Sequence, residues 1–171
     1  TRLLIRSGAD VNTRSDDGRT PLLIATARPG SYDVVKLLLD YKANPSEMVN
    51  TYRGPMTPLR LAAEAGDEAL LRLLLDRGAD GKTMGGVLPL LAAMSANDAG
   101  CVSLTLKSAD RGALKGSGLF LTPPFGAPST MRDAKAVKAF FEAGADVTAR
   151  DPAGRSILMC AVSSDDVPLE T

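Results

Sequence analysis

The sequence predicts an all-α solenoid of stacked helix-turn-helix units joined by hairpin-like loops, and three observations predict it. Gly-Ala-Asp recurs at Gly8-Ala9-Asp10, Gly78-Ala79-Asp80 and Gly144-Ala145-Asp146, each time after an aliphatic run such as Leu73-Leu74-Leu75. Two altered copies, Lys42-Ala43-Asn44 and Ser108-Ala109-Asp110, complete a series whose first positions are 8, 42, 78, 108 and 144, with spacings of 34, 36, 30 and 36 residues. Apolar residues make up 44% of the chain but aromatics only 4%, with no Trp, so the core must be built of Leu, Ala, Val and Ile, which suits close helix packing. A period in this range marks one supersecondary unit stacked on copies of itself, each unit touching only its neighbours. A thin core of this kind places function on a surface.

The units divide as a leading half-unit at 1–10, full units at 11–44, 45–80, 81–110 and 111–146, and a trailing half-unit at 147–171. Residues 57–80 give the clearest one. Thr57 before Pro58 is a helix start: the hydroxyl accepts from a first-turn N–H, and Pro has the right φ and no N–H to leave unpaired. Leu59, Ala62 and Ala63 then sit at i, i+3 and i+4, which predicts a short first helix closed by Gly66. Asp67 is placed to cap a second helix whose broad apolar face of Ala69, Leu70, Leu73 and Leu74 with the neighbouring Leu71 and Leu75 runs until Gly78, a residue suited to the left-handed conformation that ends a helix.

Between units, residues 10–20 carry Asp16-Asp17-Gly18, turn chemistry that predicts a protruding hairpin-like loop before Thr20. With Thr20-Pro21-Leu22, Thr57-Pro58-Leu59 and the Gly-Ala-Asp copies in this order, the chain resembles the ankyrin repeat family over nearly its whole length. The resemblance implies a non-enzymatic protein-binding solenoid that uses loop tips and the concave face of its first helices. It also implies a His after Thr-Pro-Leu, whereas Leu23, Arg60, Leu91, Phe125 and Met159 stand at or near that position here. The hydrogen bonds which that His makes in the family are therefore expected to be absent.

Two units depart from the pattern. Leu88-Pro89-Leu90 lacks the capping hydroxyl, which predicts a fraying first helix, and Ser103 and Thr105 in the following helix predict weaker packing. In 111–146, Gly112, Gly116 and Gly118 precede Thr122-Pro123-Pro124-Phe125-Gly126-Ala127-Pro128, which predicts a long loop and a shortened or kinked first helix before a regular second one at 133–142. That glycine stretch is not a phosphate cradle: no Gly-Lys-Ser/Thr ends it, and Pro123 and Pro124 remove donors from the helix start. In the trailing unit, Ser156-Ile157 replaces Thr-Pro, and both termini read as interrupted units, so a longer protein is expected.

Composition narrows the chemistry. There is no His, and Cys101 and Cys160 are the two thiols, so Cys/His metal sites and His-activated nucleophiles cannot be assembled. Twenty basic residues balance twenty acidic ones, which removes the attraction that nucleic acid or an anionic membrane requires. No apolar run reaches the roughly 18 residues of a membrane span. Asp10, Asp80 and Asp146 share one repeat phase, which marks turn formation and not an acid-base pair. No catalytic, cofactor or metal residue is assigned.

Scaffold positions must repeat, whereas recognition positions are free to differ. The candidates for partner contact are therefore loop-tip and first-helix residues: Arg14, Asp16, Asp17, Met48, Asn50, Tyr52, Arg53, Arg60, Glu64, Lys115, Arg150 and Asp151. Tyr52 and Arg53 are favoured interface anchor types. In the same loop, Met48 or Val49 could instead tuck inward. Arg60 and Glu64, one turn apart, could pair on the surface or face a partner. The expected partner is a protein, the array itself monomeric, and the compartment the cytoplasm. The alternative is a docking or regulatory segment of a larger enzyme or membrane protein.

Overall fold

A computed structural model of the chain describes residues 1–51, 54–81, 87–96 and 98–108, together with Gly154 and Ser156. Over these residues it has a helix-turn-helix repeat fold. The elements in order are α1 (Arg2–Arg6), α2 (Pro21–Thr26), α3 (Tyr32–Asp40), strands β1 (Val49–Thr51) and β2 (Gly54–Met56), α4 (Pro58–Glu64), α5 (Glu68–Asp76), α6 (Val87–Ala96) and α7 (Ala99–Ser108). The expected unit at 111–146, with its long loop and kinked helix, lies outside the described residues, as does Cys160.

Local capping chemistry sets where the helices begin. Thr20 Oγ1 accepts from Leu23 N at 3.3 Å and Thr57 Oγ1 from Arg60 N at 3.2 Å, each with Pro as the next residue. Both threonines are buried, so the bond also satisfies a hydroxyl that water does not reach. Asp67 caps α5 through Leu70 N at 2.9 Å, and Asp98 caps α7 through Cys101 N at 2.7 Å. Ser31, ahead of α3, makes no such bond, and its hydroxyl is buried without a partner among the described residues.

The second helices end alike. Ala79 N donates to Leu74 O at 2.9 Å and Ala43 N to Leu38 O at 2.9 Å, closures that need the preceding residue in the left-handed region. Gly78 supplies it at φ +85°, whereas at the matching place Lys42 is forced to φ +68°. For an L-residue that conformation costs roughly 1–2 kcal/mol, against roughly 0.5–1 kcal/mol of extra chain entropy for Gly. Lys42→Gly should therefore stabilise the array by about 0.5–1 kcal/mol. A higher urea midpoint at unchanged slope is the expected result, and a lower one would contradict it.

The core is a ladder of equivalent positions. Leu22, Leu59 and Leu90 are each 0–1% exposed, and Ala62 and Ala93 are both fully buried one turn further on. First helices pack on second helices within a unit and on first helices of the next unit, as α4 does on α5 and α6. The expected fraying at Leu88-Pro89-Leu90 is corrected: α6 runs ten residues against seven in α4 and begins two residues ahead of Pro89. Pro is tolerated there because first-turn N–H groups have no intrahelical acceptor, and burial of Leu90 and Ala93 holds the helix without a threonine cap.

Of the two polar residues from which weaker packing of α7 is expected, Ser103 is half-buried and Thr105 is enclosed. This residue is 1% exposed, and its hydroxyl is held by the carbonyl oxygens of Cys101 (2.9 Å) and Val102 (3.0 Å), so no polar atom is left unpaired. Asp67 and Asp98 are 31 residues apart, as are Leu59 and Leu90. The unit is thus one residue longer than the spacing of 30 between Gly78 and Ser108.

In the longer of two connections between units, β1 and β2 pair antiparallel, with Val49 opposite Met56, Asn50 opposite Pro55 and Thr51 opposite Gly54. The shorter connection is a tight turn, closed by Ser15 N to Arg19 O at 3.0 Å and Gly18 N to Ser15 O at 2.7 Å. Gly18 at φ +78° precedes Thr20 by two residues, and Gly154, two before Ser156, is likewise left-handed at φ +77°.

Candidate functional site

The two ends of each unit are tied together by side chains at one repeat phase. Asp10 Oδ1 accepts from Asn12 N at 2.9 Å, and 34 residues on Asn44 Oδ1 accepts from Ser46 N at 3.0 Å. At Asp10 this is the turn expected after a helix end, and Asn44 makes the same turn at an altered copy. Asn12 then reaches the far end of its own unit: its Nδ2 donates to Lys42 O at 3.3 Å and its Oδ1 accepts from Asn44 N at 2.9 Å. Ser46 repeats the device, its Oγ donating to Gly78 O at 3.4 Å and accepting from Asp80 N at 2.8 Å. These residues are scaffold.

The tips carry the departures. Asp17 is bound by the Arg19 guanidinium and the Ser15 hydroxyl, and these two bonds pull its carboxyl down to about 2, Arg19 contributing most. Arg14 pairs with Glu47 of the following unit, whose other oxygen accepts from Asn44 Nδ2 at 3.3 Å. Asp16 is exposed, with no ion pair among the described residues. In the hairpin, Val49 is buried at 8% exposure while Met48 remains 42% exposed and Asn50 points outward, so Val49 tucks in and Met48 does not.

On α4, Arg60 Nη1 donates to Pro55 O at 2.7 Å, tying the first helix to the base of the hairpin, and Glu64 is exposed. Tyr52, Arg53, Lys115, Arg150 and Asp151 lie outside the described residues. Arg14, Asp16 and Asp17 thus lie in one connection, Met48 and Asn50 beside and on the first strand of the next, and Arg60 and Glu64 on α4. Sequence reasoning missed Glu47 and the bridging roles of Asn12 and Ser46. The 34-residue offset between Asn12 and Ser46 is the signal that could have found the last two.

The described residues hold no group of three or more His, Cys, Asp or Glu side chains placed to bind a metal ion. Cys101 is buried, and burial, reinforced by the Asp98 carboxylate, pushes its thiol up to about 12, far from a reactive thiolate. None of the helices is long and apolar enough to cross a membrane, among the described residues.

Capped helix pairs, left-handed closures and tips bridged at a 34-residue offset define a class of repeat protein. Residues 1–84 match the family model for ankyrin repeats in three copies, and over this part the chain is an ankyrin-repeat protein. It is 38% identical over 82 residues to a protein of Arabidopsis thaliana named as an E3 ubiquitin-protein ligase, XBAT35, an alignment covering 46% of this chain and 17% of that one. It is also 38% identical over 74 residues to ankyrin repeat domain-containing protein 63 of Mus musculus, covering 43% and 18% respectively. A third relative is delta-latroinsectotoxin-Lt1a of Latrodectus tredecimguttatus, 31% identical over 77 residues, covering 45% of this chain and 6% of the toxin. The aligned segment thus spans less than a fifth of the length of each of these relatives.

Proposed function

We propose that this chain is a non-enzymatic protein-interaction module that binds its partner with loop tips and first-helix faces. The observation that carries this reading is a division of labour at the tips. Residues at the repeating phase spend their polar groups on tying the two ends of a unit together, whereas the side chains of Asp16, Met48 and Asn50 project with no such bond among the described residues. The balanced charge favours a protein over nucleic acid. Tyr52, Arg53, Lys115, Arg150 and Asp151 extend the proposed surface from sequence, and a cytoplasmic site of action fits a chain with two cysteines and no disulfide framework.

The test identifies a partner by cross-linking and then titrates it against the variant Asp16→Ala/Met48→Ala/Asn50→Ala. Affinity should fall at least tenfold, about 1.4 kcal/mol, with helicity unchanged. Equal affinity in the variant removes these residues from the surface. A second reading, favoured by the named E3 ubiquitin-protein ligase relative, makes the array the docking segment of a larger protein whose chemistry lies elsewhere in the same polypeptide.

A further inference from the structure

We propose that Arg14 is a positioning residue of this surface and not a partner contact: by clasping Glu47 it locks the tip of one unit to the hairpin of the next. Asp16, Met48 and Asn50 then face the partner as one surface, and the partner is one that meets two neighbouring tips at once. The proposal rests on the reading of the tips as the binding surface.

The geometry is that of a joint. Arg14 is 54% exposed, but the Glu47 side chain that it holds is only 13% exposed and is anchored a second time by Asn44 Nδ2 at 3.3 Å. Glu47 leads directly into Met48 and the buried Val49, whose Cγ1 would stand 3.6 Å from a Cβ at Gly18, in the same turn as Asp16. Arg14 thus fixes the carboxylate, the carboxylate fixes the start of β1, and β1 rests on the tip that carries Asp16.

The clasp is not part of the repeating scaffold. The offset that relates Asp10 to Asn44 and Asn12 to Ser46 places Met48 where Arg14 stands one unit earlier, and a thioether cannot pair with a carboxylate. A departure of this kind belongs to recognition, where positions differ between units.

Hydrogen exchange of the amides of residues 49–51 tests the clasp without any partner. Arg14→Ala should speed their exchange about threefold, as expected for a partly exposed ion pair, with α4 and α5 unaffected. The charge-swapped variant Arg14→Glu/Glu47→Arg should bring the rate part of the way back, since it restores the ion pair but leaves Asn44 Nδ2 without its acceptor. Unchanged exchange in Arg14→Ala, or an equal rise throughout α4 and α5, overturns the clasp. Once a partner is in hand, the swap should also recover part of any affinity lost in Arg14→Ala. A loss that the swap does not reduce at all makes Arg14 a direct contact and overturns its positioning role, while the exchange result stands independently of whether the tips bind at all.

Discussion

Leu74→Ala should lower the stability of the array by about 2–5 kcal/mol, the range for deleting a fully buried leucine whose surroundings cannot collapse. Leu74 is 0% exposed, and its equivalents Leu38 and Thr105 are 3% and 1% exposed, so the position is enclosed in each of these units. Its backbone carbonyl also takes the Ala79 N–H that closes the helix, a bond the substitution leaves in place, so the loss reports on packing. The chain contains its own control. Leu4 occupies the same phase, its carbonyl accepting from Ala9 N as that of Leu74 does from Ala79, yet it is 66% exposed. Leu4→Ala should therefore move stability by no more than about 0.5 kcal/mol. Urea unfolding followed by helical circular dichroism reads both variants, and equal shifts in midpoint would refute the assignment of the core.

The two substitutions divide by environment, and the same division separates what the sequence discloses from what it does not. Thr57-Pro58, Asp67 and Gly78 were legible because capping and helix closure are settled by atoms a few residues apart. Arg14 with Glu47, and Ser46 with Asp80, are not legible in that way. Each pair spans more than 30 residues and exists only once the chain has folded through a whole repeat. Helix α6 was misjudged for a related reason: a missing cap is visible locally, whereas the burial of Leu90 and Ala93 that outweighs it depends on neighbouring helices. In the hairpin, residue types alone left Met48 and Val49 equal candidates for the inward position. The pairing of Val49 with Met56 accompanies an inward Val49 and an exposed Met48.

Gly81→Val brings these effects into direct opposition. The residue after the Gly-Ala-Asp phase is Val11 in one unit, Pro45 in another and Val147 late in the chain, so valine at 81 makes the repeat more regular. By repeat consensus the substitution should stabilise. By packing it should not, because a Cβ at Gly81 would stand 2.5 Å from both Cβ and Oγ of Ser108 and 3.2 Å from the Ser108 carbonyl oxygen. The residue is buried, Ser108 is the last residue of α7, and its hydroxyl is engaged with Thr105 O at 2.9 Å. Relief therefore requires α7 to move off the 79–81 turn, and overpacking of this kind costs about 1–3 kcal/mol. Gly78→Val separates the clash from backbone strain: Gly78 lies at φ +85° with no atom within 4 Å of an added Cβ, so its cost is conformational and independent of α7. Removing the opposing Cβ with Ser108→Gly should recover a large part of the Gly81→Val loss and none of the Gly78→Val loss. A stabilised Gly81→Val variant, or equal rescue of both, would show that α7 does not press against this turn.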